Sequence, residues 1–259
     1  LWLYKAVTRS SKRKWSLRAT TSISAEMNRS FAEFERSQNY YEAITGASEG
    51  IPKEHRITHA TTLLLWYCGI PPKDAFFAEI GCGVGFSMCW MAKTHGIRGI
   101  GIEKQTELKD SFDRLAQRAG VSGQVSFLPL SAEEVPKAYS AGSCDFVFSN
   151  PPHFEHQRGK SYRDSIRQTF RSLEGPAYES FCFAIAHLLK PRRRFYLVLA
   201  PQYLPEWIEH LSELRLRVKN LCFVHGKPGK HAELVLVKGI KEGNPGFLVV
   251  DPPVFLKEG

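Results

Sequence analysis

The sequence predicts an α/β fold, because short apolar runs with strand character alternate with amphipathic helical stretches along most of the chain. Two stretches are especially informative. The run at residues 75–80 passes directly into a glycine-rich turn and then into a helix. The run at residues 144–148 stops at Asn150-Pro151-Pro152, since consecutive prolines cannot donate backbone hydrogen bonds. We expect both loops at the carboxyl ends of their strands, where open α/β sheets bind ligands.

The composition fits an enzyme of one main domain: the chain has 259 residues, of which 43% are hydrophobic and 24% are charged. We expect a basic extension with a helix at residues 1–50 and the main domain at residues 51–259. No apolar run approaches the roughly 20 residues that a membrane helix needs. The six cysteines form no Cys-x-x-Cys pair, which predicts reduced thiols in the cytoplasm and no metal site.

The first 30 residues are strongly basic, with seven Lys or Arg residues, among them Lys12, Arg13 and Lys14, against Glu26 alone. Tryptophan and tyrosine are interleaved with these charges. Three interpretations stay open: an arm that binds RNA phosphates and stacks aromatic rings on bases, a transit peptide, or a solvated tail.

Helical spacing of apolar residues predicts a helix at residues 27–44, followed by a linker at residues 46–52. A second helix begins near residue 56 and precedes the first strand. After the glycine turn, a helix from residue 86 to about residue 95 is expected. The next strand ends in Glu103, about 20 residues beyond the glycines, where doubly wound folds place the carboxylate that binds ribose hydroxyls.

The remaining elements follow in the same alternation. The pattern predicts helices at residues 106–118, 178–189 and 205–216. Strands are predicted at residues 124–130, 195–200, 221–224 and 234–237, and a basic turn is predicted at residues 190–194. Residues 155–174 are polar and rich in basic residues, including Arg158, Lys160 and Arg163. This composition fits either a lid that binds the substrate or a solvated helix.

The Asn150 loop offers a specific chemistry. Its carboxamide oxygen and the carbonyls beside the prolines are acceptors held in place, while His153 and Phe154 provide flat faces for stacking. An exocyclic amine on a planar ring is a poor nucleophile because its lone pair is delocalised. Two fixed acceptors that take its hydrogens favour the reactive form, which is catalysis by positioning. The alternative is a proline-rich turn that merely closes a strand.

Two motifs together resemble the class I S-adenosylmethionine-dependent amino-methyltransferases: Glu79-x-Gly81-x-Gly83-x-Gly85, and Asp145-x-x-x-x-Asn150-Pro151-Pro152-His153. The resemblance implies a Rossmann-like fold with a seven-stranded, mostly parallel sheet and an antiparallel terminal strand pair. It also implies S-adenosylmethionine as cofactor and S-adenosylhomocysteine as product. Ser131 stands where the family usually has an aspartate that binds adenine, and Ala60 stands where it has an aspartate near the methionine end. The implied cofactor-binding residues are Thr58, Glu79, Gly81, Cys82, Gly83, Gly85, Glu103, Ser131 and Asn150.

The carboxyl-terminal part, at residues 221–228, 232–239 and 252–255, is similar to the end of the bacterial tRNA1(Val) adenosine-37 N(6)-methyltransferase family. The likeness spans about residues 55–257, with Gly226 in place of a proline and His153 in place of a tyrosine. It implies methylation of an adenine amino group in a tRNA anticodon loop by a monomeric protein. Asn150, Pro151, Pro152 and His153 would then be catalytic, and His153 and Phe154 would stack on the base. The implied RNA-binding residues are Lys12, Arg13, Lys14, Arg158, Lys160 and Arg163.

Other functions remain compatible with the same loop. Related enzymes methylate bases in ribosomal RNA or a glutamine side chain in release factors, and a non-catalytic RNA-binding module is a further alternative. The formal charge of +9 favours a nucleic acid over a protein substrate.

Overall fold

The computed structural model describes residues 26–28, 30–35, 58–151 and 177–256. These residues form an eight-stranded sheet flanked by helices. The strands are β1 (Phe76–Ile80), β2 (Arg98–Ile102), β3 (Val125–Leu128), β4 (Cys144–Ser149), β5 (Leu189–Leu199), β6 (Leu216–His225), β7 (Ala232–Lys241) and β8 (Val249–Phe255). The helices are α1 (His59–Cys68), α2 (Phe86–His95), α3 (Lys109–Ala119), α4 (Val135–Ala138), α5 (Ala177–Leu188) and α6 (Leu204–Glu213).

The strand order is β3-β2-β1-β4-β5-β7-β6-β8. Strands β1 to β5 run parallel, whereas β7 is antiparallel to both of its neighbours, β5 and β6. The chain winds outward from β1 to β3 and then returns to place β4 beside β1, so a crevice forms between the carboxyl ends of β1 and β4. This topology confirms the predicted Rossmann-like fold with an antiparallel terminal pair.

The sheet has eight strands rather than the predicted seven. The additional strand, β8, pairs in parallel with β6 and contains Pro252 and Pro253. Prolines lack the N–H that a strand donates to its neighbour, so sequence patterns argue against a strand there. On the edge of the sheet, one side of β8 needs no partner, and the prolines are tolerated.

The two faces of the sheet are covered by separate hydrophobic clusters. Helices α1, α2 and α3 cover the face on which Phe77 stacks against Phe146 and Phe148, with ring centroids 5.4 and 5.8 Å apart. Helices α5 and α6 cover the other face, which includes Ile80 and Leu197. Both faces are thus apolar, which explains why strands β1 and β4 are almost continuous hydrophobic runs.

A helical segment before the main domain packs against the core. Residues 26–28 and 30–35 are helical, and this part of the predicted helix is confirmed. Phe31 is 4% exposed and lies edge-on to Trp66, with ring centroids 5.5 Å apart. Asn28 joins the segment to β8, because its Oδ1 accepts from Phe255 N at 2.8 Å. The rest of the predicted helix and the linker at residues 46–52 lie outside the described residues.

The predicted basic turn at residues 190–194 is wrong, since these residues belong to β5. Leu189 pairs with Cys144 in β4, but the next paired residue is Arg194, opposite Phe146. The residues between them form a β-bulge, which accommodates Pro191 inside a central strand. The short helix α4 was not predicted, and the helix predicted to reach residue 216 ends at Glu213.

No helix in the described part of the chain is long and apolar enough to cross a membrane.

Candidate active site

A cavity of about 430 Å³ opens at the carboxyl ends of the four strands β1 to β4. Each strand contributes the residues that follow it: Gly81 after β1, Glu103 after β2, Ser131 after β3 and Asn150 after β4. We call it the donor cavity. It brings together eight of the nine residues that the sequence predicts for the cofactor, all except Gly85.

The glycine turn forms the floor of the donor cavity. Gly81 and Gly83 have positive φ values of 76° and 54°, in the left-handed region that favours glycine. The turn is tied to β2, because Gly81 N and Cys82 N both donate to Ile102 O, at 2.8 and 3.1 Å. A Cβ placed on Gly83 would meet no atom within 4 Å, so the cavity there is open to a ligand that approaches the backbone.

Gly85 has another role. It is not among the residues that line the donor cavity, and it precedes the first residue of α2 with a φ of 85°. A Cβ on this residue would lie 2.3 Å from the Phe112 ring of α3. The absence of a side chain therefore lets α3 pack closely behind the turn.

Glu103 links the glycine turn to the loop after β2. Its Oε2 accepts from Gly83 N at 3.0 Å and its Oε1 accepts from Gln105 N at 3.0 Å. Each carboxylate oxygen has a second lone pair, so Glu103 can accept further hydrogen bonds from a ligand's hydroxyl groups.

Glu79 is a buried acid in the wall of the donor cavity. Glu79 is only 4% exposed, and its Oε2 has no hydrogen-bond partner among the described residues. Burial raises the pKa of Glu79 well above its usual value, although a hydrogen bond with Ser87 opposes the shift. A buried carboxyl group with an unused oxygen suits a cationic group of a ligand.

Asn150 also lines the donor cavity, and the residue before it is fixed by a hydrogen bond. The Ser149 hydroxyl is fully buried and donates to Ile80 O at 2.6 Å, which joins the end of β4 to the end of β1. Asn150 Oδ1 is buried and has no partner among the described residues. Pro151 is buried too. Pro152, His153 and Phe154 lie outside the described residues.

Ser131 bonds to a neighbouring acid. Its backbone N and its hydroxyl both donate to Glu134 Oε2, each at 2.8 Å. These hydrogen bonds hold the pKa of Glu134 below its usual value. Because the hydroxyl proton is engaged, the oxygen of Ser131 is left as an acceptor that can receive an amino group.

Thr58 lies at the entrance of the donor cavity as the N-cap of α1, where its Oγ1 accepts from Thr61 N at 3.4 Å. Ala60, which stands at the position of the family's aspartate, is buried in the core and is not among the residues that line the cavity.

Sequence reasoning missed Phe181, on α5. This residue lines the donor cavity, and its ring lies 3.7 Å from a Cβ placed on Gly81. The pattern predicted only a strongly apolar helix here, and nothing in its spacing distinguished the ring that reaches the cavity. Ser87, Gln105 and Leu130 also line the cavity without having been predicted.

The predicted RNA-binding residues Lys12, Arg13, Lys14, Arg158, Lys160 and Arg163 all lie outside the described residues. Among the described residues, no group of three or more His, Cys, Asp or Glu side chains is arranged to hold a metal ion.

Residues 77–175 match the sequence model of a protein family described as a methyltransferase domain. The matched range begins in β1 and contains the glycine turn, Glu103, Ser131 and Asn150. Over this stretch the chain is similar to methyltransferase domains. No curated protein matches the chain.

Solved structures of methyltransferases share the fold. A protein from Agrobacterium tumefaciens, described as a predicted O-methyltransferase, is 18% identical, with a TM-score of 0.61 over 76% of this chain and 87% of its own. The geranyl diphosphate C-methyltransferase of Streptomyces coelicolor, solved with S-adenosyl-L-homocysteine, is 13% identical, with a TM-score of 0.52 over 70% and 74%. A TehB-like S-adenosylmethionine-dependent methyltransferase from Corynebacterium glutamicum is 14% identical, with a TM-score of 0.50 over 81% and 98%.

S-adenosylmethionine, the cofactor that the sequence resemblance implies, would supply an electrophilic methyl group when bound. The residues of the donor cavity fit it. The backbone of the glycine turn can approach the ligand, and Glu79 offers a buried carboxyl group to its ammonium group. Glu103 has acceptor capacity for ribose hydroxyls, and Ser131 has an oxygen for the adenine amino group.

Proposed function

We propose that the protein transfers a methyl group from S-adenosylmethionine to the exocyclic amino group of an adenine in RNA, with adenosine 37 in a tRNA anticodon loop as the target. One observation carries this proposal. Asn150 Oδ1 is a buried acceptor in the wall of the donor cavity, without a partner among the described residues. A primary amine is the kind of group that can donate to it.

The structure next to Asn150 supports a role for this residue in positioning the target amine. The hydrogen bond from Ser149 to Ile80 O limits movement of the chain just before Asn150, which favours a defined position for the carboxamide before the reaction begins. In the proposed reaction, the Asn150 side-chain oxygen and the carbonyl oxygen of Pro151 each accept a hydrogen bond from one N–H of the amine. The nitrogen lone pair is then directed at the methyl group. The new N–C bond forms as the S–CH3 bond breaks, its electron pair stays on sulfur so that S-adenosylhomocysteine is the leaving group, and one proton of the methylated nitrogen goes to water.

The charge of the chain supports RNA as the substrate. A formal charge of +9 favours binding to a phosphate backbone. An adenine in a single-stranded loop can be turned into a pocket at modest cost and held by stacking, worth roughly 1–3 kcal/mol per base. His153 and Phe154 are our candidates for the stacking rings.

The experiment that tests the proposal is incubation of the protein with labelled S-adenosylmethionine and total RNA, followed by nuclease digestion and identification of the modified nucleoside. We expect label in N(6)-methyladenosine, and in the tRNA fraction. Label in another base or in ribosomal RNA would assign a different RNA substrate. A parallel incubation with a release factor in place of RNA tests the protein alternative, and label in that protein but in no RNA would replace RNA by a protein substrate. Cofactor binding without any transfer would support a non-catalytic module.

The role of Asn150 has its own test. Replacing Asn150 by Ala removes the acceptor but leaves the rest of the donor cavity, so we expect unchanged S-adenosylmethionine affinity and a loss in kcat on the order of 10²–10³. The matched control is Gln124→Ala, which removes a carboxamide at the opposite end of the sheet, just before β3. Equal activity of the two variants would contradict the assigned role.

A further inference from the structure

A second cavity, also of about 430 Å³, lies at the amino-terminal end of the sheet, away from the donor cavity. We call it the arginine cavity. Gly69, Pro71 and Pro72 of the loop before β1 form one side, and Arg192, Arg193 and Arg194 at the start of β5 form another. Helix α1 connects the two cavities. Thr58 at its beginning lines the donor cavity and Cys68 at its end lines the arginine cavity, about 15 Å apart for a ten-residue helix.

We infer that the arginine cavity binds a phosphate group of the RNA backbone, as a second contact with the nucleic acid that is methylated in the donor cavity. The inference rests on the proposed function for its substrate. It assigns a site that is separate from the donor cavity and that includes none of the RNA-binding residues predicted from the sequence.

The bulge in β5 presents the arginines. Pairing with β4 is interrupted between Leu189 and Arg194, and Arg192 has a φ of 64°, in the left-handed region that non-glycine residues adopt uncommonly. Hydrogen bonds to residues that follow β7 hold Arg192 in place. Arg192 Nη1 donates to Glu242 O at 3.0 Å and to Asn244 Oδ1 at 3.5 Å. A strained non-glycine residue fixed by the surrounding structure is a typical feature of binding sites.

Among the described residues that line the arginine cavity, Asp145 is the one acid. Its negative charge is already paired with nearby cations. Asp145 Oδ1 bonds to Lys190 Nζ at 3.0 Å and lies 3.4 Å from Arg193 Nη2, while its Oδ2 accepts from Phe76 N at 3.0 Å. Burial acts to raise the pKa of Asp145, but these hydrogen bonds and cations outweigh it and hold the pKa below its usual value. Two cations thus face one carboxylate, and the charges of Arg192 and Arg194 are left for an anion.

The surface beside the arginine cavity is basic as well. Strands β5, β6 and β7 meet at this end of the sheet, where Leu216 pairs with Lys241 and Arg194 pairs with Ile240. Lys241 Nζ donates to two backbone carbonyls, those of Ala186 and Leu189, so its ammonium group is fixed close to the bulge. Arg215 just before β6, and Arg217 and Lys219 within it, add positive charge to these strands, while the exposed Glu242 beside Arg192 adds one negative charge.

Three buried side chains, those of Met91, Phe146 and Tyr196, line the cavity beneath the arginines, and Tyr196 hydrogen-bonds to Arg194 without changing its charge. Exposed guanidinium groups above these side chains fit a phosphodiester with its attached ribose or base better than a small inorganic ion. Arginine also binds phosphate through two parallel hydrogen bonds, which a lysine cannot offer. The site therefore fits a nucleotide unit of an RNA chain.

The test compares two double variants of the whole protein for binding to unfractionated tRNA over a range of salt concentrations. Arg192→Gln with Arg194→Gln removes the proposed contacts. Arg114→Gln with Arg118→Gln is the matched control, since both residues are exposed on α3, near the β3 edge of the sheet. We expect the slope of log affinity against log salt to flatten by roughly 1.5 in the first variant, for two lost phosphate contacts, and to stay unchanged in the control.

Cofactor binding by both variants verifies folding, because the donor cavity contains none of these arginines. Equal slopes for the two double variants, with normal methylation by the wild type, would overturn the arginine cavity while leaving the proposed function in place. No tRNA binding or methylation by the wild type would instead overturn the proposed function. If adenosine monophosphate binds the wild type and not the first variant while tRNA binding is unchanged, the site takes a mononucleotide, and the RNA assignment is wrong.

Discussion

At the scale of single residues, two buried oxygens set the chemistry of the donor cavity. Glu79 Oε2 and Asn150 Oδ1 both lack a partner among the described residues. A buried polar group without a hydrogen bond costs roughly 1–3 kcal/mol, so the ligand-free protein carries an unfavourable contribution from each of them. A ligand that donates a hydrogen bond to each oxygen removes this unfavourable contribution. Ligands with N–H groups at both positions are therefore favoured.

Glu79→Gln is expected to have opposite effects on binding and on stability. The glutamine keeps an acceptor for Ser87 but loses the charge that would face the cofactor's ammonium group, so affinity for S-adenosylmethionine should fall about 10- to 100-fold, equivalent to roughly 1.5–3 kcal/mol. The free energy of unfolding of the ligand-free protein at neutral pH should rise, because an acid that folding buries is removed. Calorimetric titration and thermal unfolding measure the two effects. A variant with lower affinity and lower stability would contradict this interpretation.

The same residue predicts a pH dependence. Burial raises the folded-state pKa of Glu79 above its unfolded value, so its contribution to stability is most favourable below the unfolded pKa and is lost as the pH rises through the folded pKa. Cofactor binding favours the ionised carboxylate and should release a proton. We therefore expect affinity for S-adenosylmethionine to increase with pH up to the raised pKa, and this increase to vanish in Glu79→Gln. A pH-independent affinity in the wild type would exclude proton release by this group.

At the scale of elements, the glycine turn combines two different requirements. Gly83 leaves open space for the cofactor, whereas Gly85 leaves space for the Phe112 ring of α3. Two alanine substitutions should separate these requirements, although both residues have positive φ and both variants carry the same kind of backbone strain.

Gly83→Ala is expected to weaken S-adenosylmethionine binding at least tenfold, because its Cβ would project into the donor cavity, with a stability loss of about 1 kcal/mol from the backbone conformation alone. Gly85→Ala should lose more stability, since a Cβ 2.3 Å from Phe112 forces α2 and α3 apart. Overpacking of this kind adds about 1–3 kcal/mol. Chemical denaturation and cofactor titration of both variants check the contrast, and equal stability losses would refute it.

The helical segment at residues 26–28 and 30–35 is an element of the core, although composition groups it with the basic extension. The burial of Phe31 against Trp66 and the bonds of Asn28 to β8 connect it to both α1 and the sheet edge. Removal of residues 1–50 should therefore destabilise the protein, with about 3–5 kcal/mol lost from Phe31 alone. Removal of residues 1–25 should leave the melting temperature nearly unchanged. Equal melting temperatures for both deletions would show that the segment contributes no stability.

At the scale of the whole molecule, positive charge is concentrated in the first 30 residues and at the amino-terminal end of the sheet. If about four residues of the amino-terminal arm contact phosphate, deletion of residues 1–25 should flatten the slope of log RNA affinity against log salt by roughly 3. Filter binding at several salt concentrations measures this slope. An unchanged slope would favour the targeting segment or the solvated tail.

Local properties of the sequence, namely apolar periodicity and the φ preference of glycine, predicted most of the alternation of strands and helices and the glycine turn after β1. The missing N–H of proline marked the end of β4 just before Asn150 and Pro151. The resemblance to the amino-methyltransferases also implied eight of the residues that line the donor cavity. The tertiary structure alone decided that Phe181 joins them, that Gly85 packs against Phe112, that residues 190–194 bulge within a strand and that β8 completes the sheet. Each of these depends on which distant segment lies alongside, and local sequence carries little information about long-range pairing.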